Sequence, residues 1–163
     1  MKTSMKLFTL AASALISVSA LAQEGKPWIH DPSNIMECDG KYYTFGTGGG
    51  GLISEDGWNW YSGAVRPGGG AAPDAIKIGD RYLIAYSATG GGLGGGHAGR
   101  VLTMWNKTLD PNSPDFEYTE AIEVAASLND EDCDAIDAGL FLDPTTGRLY
   151  CTYGTYFGFI RMV

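Results

Sequence analysis

The chain has 163 residues, a formal net charge of −8 at pH 7, 12% aromatic residues and 24 glycines. Nucleic acids and anionic membrane surfaces bind basic patches, so this acidic balance disfavours both as partners, whereas a neutral carbohydrate is compatible with it. Abundant glycine together with aromatic and β-branched runs is typical of a β-protein with tight turns.

The first 22 residues have the pattern of a secretory signal peptide. Lys2 and Lys6 form a positive start, residues 7–20 form an apolar run, and Ala20-Leu21-Ala22 is a small-x-small cleavage site. The apolar run is too short for a membrane span. We therefore predict a signal peptide over residues 1–22, a secreted or periplasmic protein, and no membrane contact after cleavage.

A repeated unit organises the rest of the chain: an acid, a strand, a glycine turn and a second strand. The three units open at Asp31, Asp74 and Asp137. The predicted strands cover residues 34–38, 41–45, 52–54, 75–78, 81–86, 100–105, 121–126, 138–142 and 148–153. Repeats of about 40 to 50 residues indicate the blades of a β-propeller. We therefore predict an all-β fold in which residues 23–163 form about two to three blades.

The three acids occupy equivalent places in successive blades. Because the innermost strands of a propeller surround its central channel, we expect Asp31, Asp74 and Asp137 to converge on one pocket. Two carboxylates on either side of a sugar ring carry out glycoside hydrolysis. The alternative for Asp31 is a turn residue before Pro32, since Asp-Pro favours turns.

Two further segments have competing interpretations. The glycine run at 46–51 is followed by neither Gly-Lys-Ser/Thr nor a helical pattern, so we expect a flexible loop at the channel rim instead of a phosphate site. Trp58, Trp60 and Tyr61 could stack on sugar, but we expect them to pack between blades.

The sequence predicts no cofactor and no metal site. The acidic loop at 129–134 could bind a structural Ca²⁺, but it lacks the Asp-x-Asp-x-Asp-Gly spacing, and solvated charge is the favoured interpretation. Cys38, Cys133 and Cys151 lack metal-ligand spacing, and their odd number leaves at least one thiol. We expect these cysteines to be small buried side chains in strands.

The opening His30-Asp31-Pro32-Ser33 and the segments 40–43, 54–60 and 72–74, in this order and spacing, resemble glycoside hydrolase family 43, whose members are five-bladed β-propellers acting on arabinan, xylan side chains and related plant polysaccharides. The later segments 108–114, 134–137, 147–150 and 153–155 resemble the arabinanase branch of that family. The resemblance implies a partial five-bladed propeller, the N-terminal part of a longer enzyme.

The resemblance also implies roles for individual residues. Asp31 matches the general base of an inverting mechanism, and Asp137 matches the acid that raises the pKa of the proton donor and orients it. The general acid, a Glu of a later blade, has no counterpart in the chain. The residues that we predict to bind substrate are His30, Asp74, Thr155 and Tyr156.

The resulting prediction is a glycosidase that hydrolyses arabinan or a related arabinose-containing plant polysaccharide or oligosaccharide by inversion. Because the general acid is missing, we expect this chain alone to be inactive or nearly so. The alternatives are a non-catalytic carbohydrate-binding propeller and a β-xylosidase or galactosidase of the same family. Ala71, Asp134 and Ala138 replace the Trp, Asn and Pro that the family usually has, which leaves the exact substrate open.

Overall fold

A computed structural model describes residues 27–89, 98–154 and 158–163. Within these ranges the protein is all-β: eleven strands lie in three antiparallel sheets. None of these residues belongs to a helix that is long and apolar enough to cross a membrane. The predicted signal peptide at 1–22 lies outside the described residues.

The first sheet, blade 1, is a four-stranded meander in the order β1-β2-β3-β4. Its strands are β1 (Met36–Cys38), β2 (Lys41–Phe45), β3 (Gly50–Ser54) and β4 (Tyr61–Val65). Asp39 and Gly40 connect β1 to β2, and both have positive φ, 52° and 76°. A two-residue turn of this conformation matches the twist of a hairpin, as the Asp-Gly pair predicted.

The second and third sheets repeat the pattern. Blade 2 has the order β5-β6-β7-β8, and blade 3 has the order β11-β10-β9. Their strands are β5 (Ala71–Ile78), β6 (Arg81–Thr89), β7 (Arg100–Asn106), β8 (Ile122–Ala126), β9 (Gly139–Leu142), β10 (Leu149–Tyr153) and β11 (Arg161–Met162). In each sheet, the strands that pair with one another are consecutive along the chain, so the predicted hairpins are confirmed.

Blade 2 is packed between the other two sheets. Tyr82 and Ile84 of β6 belong to a buried cluster with residues of blade 1, such as Phe45. Leu83 and Ala85 of the same strand belong to a second cluster with blade 3. Because successive side chains of a strand point to opposite faces, an apolar strand buried on both sides is what stacked blades require. The partial propeller is thus confirmed.

Two local predictions are wrong. Gly50 and Gly51 are strand residues of β3, and a Cβ at Gly51 would lie 2.1 Å from the carbonyl oxygen of Thr44. Tyr61 is 61% exposed and Trp58 is 52% exposed, so neither packs between blades as predicted, whereas Trp60 is only 9% exposed. The Asp56 carboxylate accepts the N–H of Trp58 at 2.8 Å and forms a turn that places this ring outside the blade interface.

Candidate active site

Asp31 lies on a turn fixed to the end of β2. The N–H of Ser33 donates to the carbonyl of Phe45 at 2.8 Å, and the Ser33 hydroxyl accepts the N–H of Phe45 at 3.0 Å. Ser33 is buried, whereas the side chain of Asp31 is 41% exposed. This turn therefore holds the backbone rigidly and presents one carboxylate to solvent.

Two neighbours contact the Oδ2 atom of Asp31. His30 Nδ1 lies 2.9 Å from this oxygen, and the hydroxyl of Thr47 donates to it at 2.8 Å. His30 is thus placed beside the predicted base. A contact between His30 and the substrate stays a prediction.

Asp137 opens blade 3 and faces the same cavity as Asp31. Its N–H donates to the hydroxyl of the buried Ser87 at 3.0 Å, so a residue of blade 2 fixes its backbone. The pKa of Asp137 is raised above its ordinary value, first by desolvation, then by the charges of Asp31 and Asp134. A carboxyl group near another carboxylate resists ionisation in this way.

The cavity between the two acids has a volume of about 150 Å³. The residues that line it are Asp31, Pro32, Ala72, Pro73, Asp137 and Ala138. Three of these, Asp31, Ala72 and Asp137, have positive φ values of 48°, 41° and 54°. Such conformations are uncommon for residues other than glycine and concentrate at functional sites.

Asp74 is buried and connects the three blades. Its Oδ1 accepts the N–H of Asn34 at 3.2 Å, and its Oδ2 accepts the N–H of Leu140 at 2.8 Å. Both oxygens of its carboxylate therefore accept bonds from neighbouring backbone. The predicted convergence of Asp74 with the other two acids on one pocket is wrong, since Ala72 and Pro73 of its strand line the cavity instead. A substrate contact of Asp74 stays a prediction, as do those of Thr155 and Tyr156, which lie outside the described residues.

The structure adds Arg66, a buried cation, to the surroundings of the site. Its guanidinium donates to the carbonyls of Gly69 and Gly46, and it lies 4.5 Å from the ring centre of Tyr86. Burial lowers the pKa of this group. Arg66 thus links two glycine loops. Residues 46–49 connect β2 to β3 in blade 1, and residues 67–70 directly precede the strand of blade 2 that contains the cavity residues.

Sequence reasoning missed Thr47, Ser87 and Arg66. Thr47 was assigned to a flexible glycine run, and its side-chain partners Asp31 and Ala72 lie 16 and 25 positions away in the sequence. The bond of Ser87 to Asp137 and that of Arg66 to Gly46 join residues 50 and 20 positions apart, so neither has a local sequence signal.

The described residues, which include the acidic loop, contain no group of three or more His, Cys, Asp or Glu side chains that could hold a metal ion. Asp132 pairs with Arg161 of blade 3, and Asp134 is fully buried. All three cysteines are buried and free. Cys38 and Cys151 lie in strands as predicted, whereas Cys133 lies in the loop between β8 and β9.

The fold is similar to that of solved arabinanases. The chain is 31% identical to the exo-1,5-α-L-arabinanase from a bovine ruminal metagenomic library, with a TM-score of 0.74 over 84% of this chain and 49% of that one. No protein-family model matches the chain.

Two curated proteins are similar in sequence. The probable arabinan endo-1,5-α-L-arabinosidase A of Aspergillus flavus is 29% identical over 78% of this chain and 42% of its own length. The extracellular exo-α-(1→5)-L-arabinofuranosidase ArbA of Cellvibrio japonicus is 28% identical over 94% of this chain and 48% of its own. The chain is similar in sequence and fold to arabinanases and spans about half the length of the relatives it matches.

Proposed function

We propose that this chain carries the general base and the pKa-modulating acid of an inverting glycosidase that acts on α-1,5-linked arabinan. The observation that carries the proposal is the shared cavity of Asp31 and Asp137, whose backbones come from different blades. The similarity to enzymes named for arabinan and for α-(1→5)-linked arabinofuranose supports the substrate class.

The two acids have different environments that suit different roles. Asp31 is partly exposed and held by two neighbours, which suits a base that takes a proton from water. Asp137 has a raised pKa because desolvation and nearby charge disfavour its ionised form. The water oxygen attacks the anomeric carbon, the glycosidic bond breaks, and a general acid protonates the departing oxygen.

A carboxylate beside the proton donor makes loss of the donor's proton less favourable. This is the role proposed for Asp137, and it needs no cofactor. Among the described residues, no glutamate lines the cavity, so hydrolysis by this chain should be slower by the roughly 10²–10⁴-fold that a general acid contributes.

Export is part of the proposal. The charged start, apolar run and cleavage site at 1–22 support it, as does the similarity to an enzyme described as extracellular. A polysaccharide substrate is too large to enter a cell intact, which fits a secreted or periplasmic site of action.

Linear arabino-oligosaccharides provide the test. We expect arabinohexaose to shift the amide NMR signals of Asp31, Asp137 and Ala138, with xylohexaose as the control for sugar class. Slow hydrolysis should release the inverted anomer and disappear in Asp31→Ala, which should still bind. Hydrolysis that Asp31→Ala abolishes would exclude the carbohydrate-binding alternative, and no binding at the cavity would contradict the proposal.

A further inference from the structure

Thr47 makes three hydrogen bonds at the point where blade 1 meets blade 2. Its N–H donates to the carbonyl of His30 at 2.9 Å, and its hydroxyl oxygen accepts the N–H of Ala72 at 2.9 Å. The hydroxyl also contacts Asp31 Oδ2 at 2.8 Å. One residue thus joins the turn that carries the predicted base to the strand that lines the opposite side of the cavity.

The direction of the bond to Asp31 follows from the donors available. A backbone N–H can only donate, so Thr47 Oγ1 is the acceptor from Ala72. The hydroxyl has a single proton, and the ionised carboxylate of Asp31 can only accept. The proton of Thr47 must therefore point to Asp31 Oδ2.

The two oxygens of Asp31 consequently differ. Oδ2 is occupied by Thr47 and lies beside His30 Nδ1. Within the described ranges, no protein donor reaches Oδ1, and the side chain is 41% exposed. Oδ1 is thus the oxygen that remains free to accept a proton from water.

We propose that Thr47 is a positioning residue for Asp31. Its hydroxyl holds Oδ2 in place and leaves Oδ1 as the atom that accepts the proton. Its bond to Ala72 fixes the position of Asp31 relative to blade 2. The catalytic part of this proposal, the role of Thr47 in proton transfer to Asp31, rests on the proposed function. The structural part, which we call the tether, is the link that Thr47 forms between the Asp31 turn and Ala72, and it rests on the three hydrogen bonds. Ala72 has the unusual φ of 41°, and the bond to Thr47 holds its N–H in this conformation.

The tether is tested in the isolated protein by NMR. Thr47→Val keeps the side-chain shape and removes the hydroxyl, whereas Thr47→Ser keeps the hydroxyl. The matched control is Thr103→Val, which removes a hydroxyl bonded to the Ile122 carbonyl at 3.4 Å. We expect only Thr47→Val to move the carboxyl carbon signal of Asp31 and to speed exchange of the Ala72 amide about tenfold.

The catalytic part is tested by hydrolysis of linear arabinan. Thr47→Val should lower kcat about tenfold with little change in KM, since a hydrogen bond to a charged group is lost. Thr47→Ser should recover most of the rate. An unchanged Asp31 signal and Ala72 exchange in Thr47→Val would overturn the tether, and an unchanged kcat would overturn the catalytic part. Failure of arabinohexaose to bind at the cavity, with the NMR changes present, would reject the proposed function and retain the tether.

Discussion

At the scale of single residues, the electrostatic coupling of Asp137 determines how the site responds to pH. Desolvation, the charge of Asp31 and the charge of Asp134 all raise the pKa of Asp137. The folded protein therefore binds more protons than the unfolded chain between the ordinary pKa and the raised one. The contribution of Asp137 to stability is present at low pH and is lost as pH rises through this window.

Removing the charge of Asp31 tests this coupling. We expect Asp31→Asn to lower the pKa of Asp137, but not to its ordinary value of 3.8, because burial and Asp134 still act. A carboxyl ¹³C NMR titration measures the shift. Asp80→Asn, in the β5–β6 turn, is the matched control for loss of one negative charge. An equal shift in both variants would contradict a specific effect of Asp31.

At the scale of elements, the two glycine loops allow blades 1 and 2 to approach closely. The N–H of Gly48 donates to the carbonyl of Gly70 at 2.8 Å, and Arg66 links both loops. Gly70 has a φ of 72°, and a Cβ there would lie 2.2 Å from the carbonyl oxygen of Ser87. The hydroxyl of Ser87 accepts the N–H of Asp137, so the packing of the loop at Gly70 against Ser87 helps to position the backbone of Asp137.

Alanine substitutions at the adjacent Gly69 and Gly70 distinguish the cost of backbone strain from the cost of a steric clash. Gly69 has a φ of 57° and open space around it, so Gly69→Ala should cost only the strain of a positive φ, about 1 kcal/mol. Gly70→Ala should cost about 1–3 kcal/mol more, because its methyl group meets the Ser87 backbone. Urea unfolding measures both values. Equal losses of stability would contradict a close contact between Gly70 and the Ser87 backbone within blade 2.

The strands could be predicted from sequence because their signals are local. Period-two alternation and turns such as Asp39-Gly40 depend on neighbouring residues, and the hairpins follow from them. The resemblance identified Asp31 and Asp137 as partners, and the structure brings them to one cavity. The bonds of Thr47 to Asp31 and Ala72 could not be derived, because they join residues 16 and 25 positions apart through side-chain geometry.

The outward position of Trp58 was missed for a related reason. Its aromatic side chain favours burial, but the side-chain bonds of Asp56 set the turn and override that preference. Asp74 shows the same limit: it lies inside β5 and not before a strand as predicted, and its two backbone partners depend on how three sheets dock.

At the scale of the whole molecule, Asp74 holds three sheets together with one carboxylate. It belongs to β5, and it accepts N–H groups of Asn34, before β1, and of Leu140, in β9. Since both its oxygens are used, its loss would leave donors in two other parts of the fold without their partner.

We expect Asp74→Ala to lower the free energy of unfolding by about 2–4 kcal/mol, because the buried Leu140 donor left unsatisfied costs about 1–3 kcal/mol and the part-buried Asn34 donor adds a smaller loss. Asp74→Asn keeps one oxygen acceptor and should lose less. The measurement is urea unfolding followed by tryptophan fluorescence. Asp115→Ala, an exposed residue of the loop before β8, is the control, and a loss no larger than in that control would contradict the bridging role.

The bridge through Asp74 has a consequence for the order of folding. Each sheet is closed by connections between consecutive strands, whereas the Asp74 bonds close over 40 and 66 residues. Distant closures cost more chain entropy and form later than local hairpins. A newly made chain can therefore complete its individual sheets while the two acids are still apart, and chemical competence arises only at the final docking step.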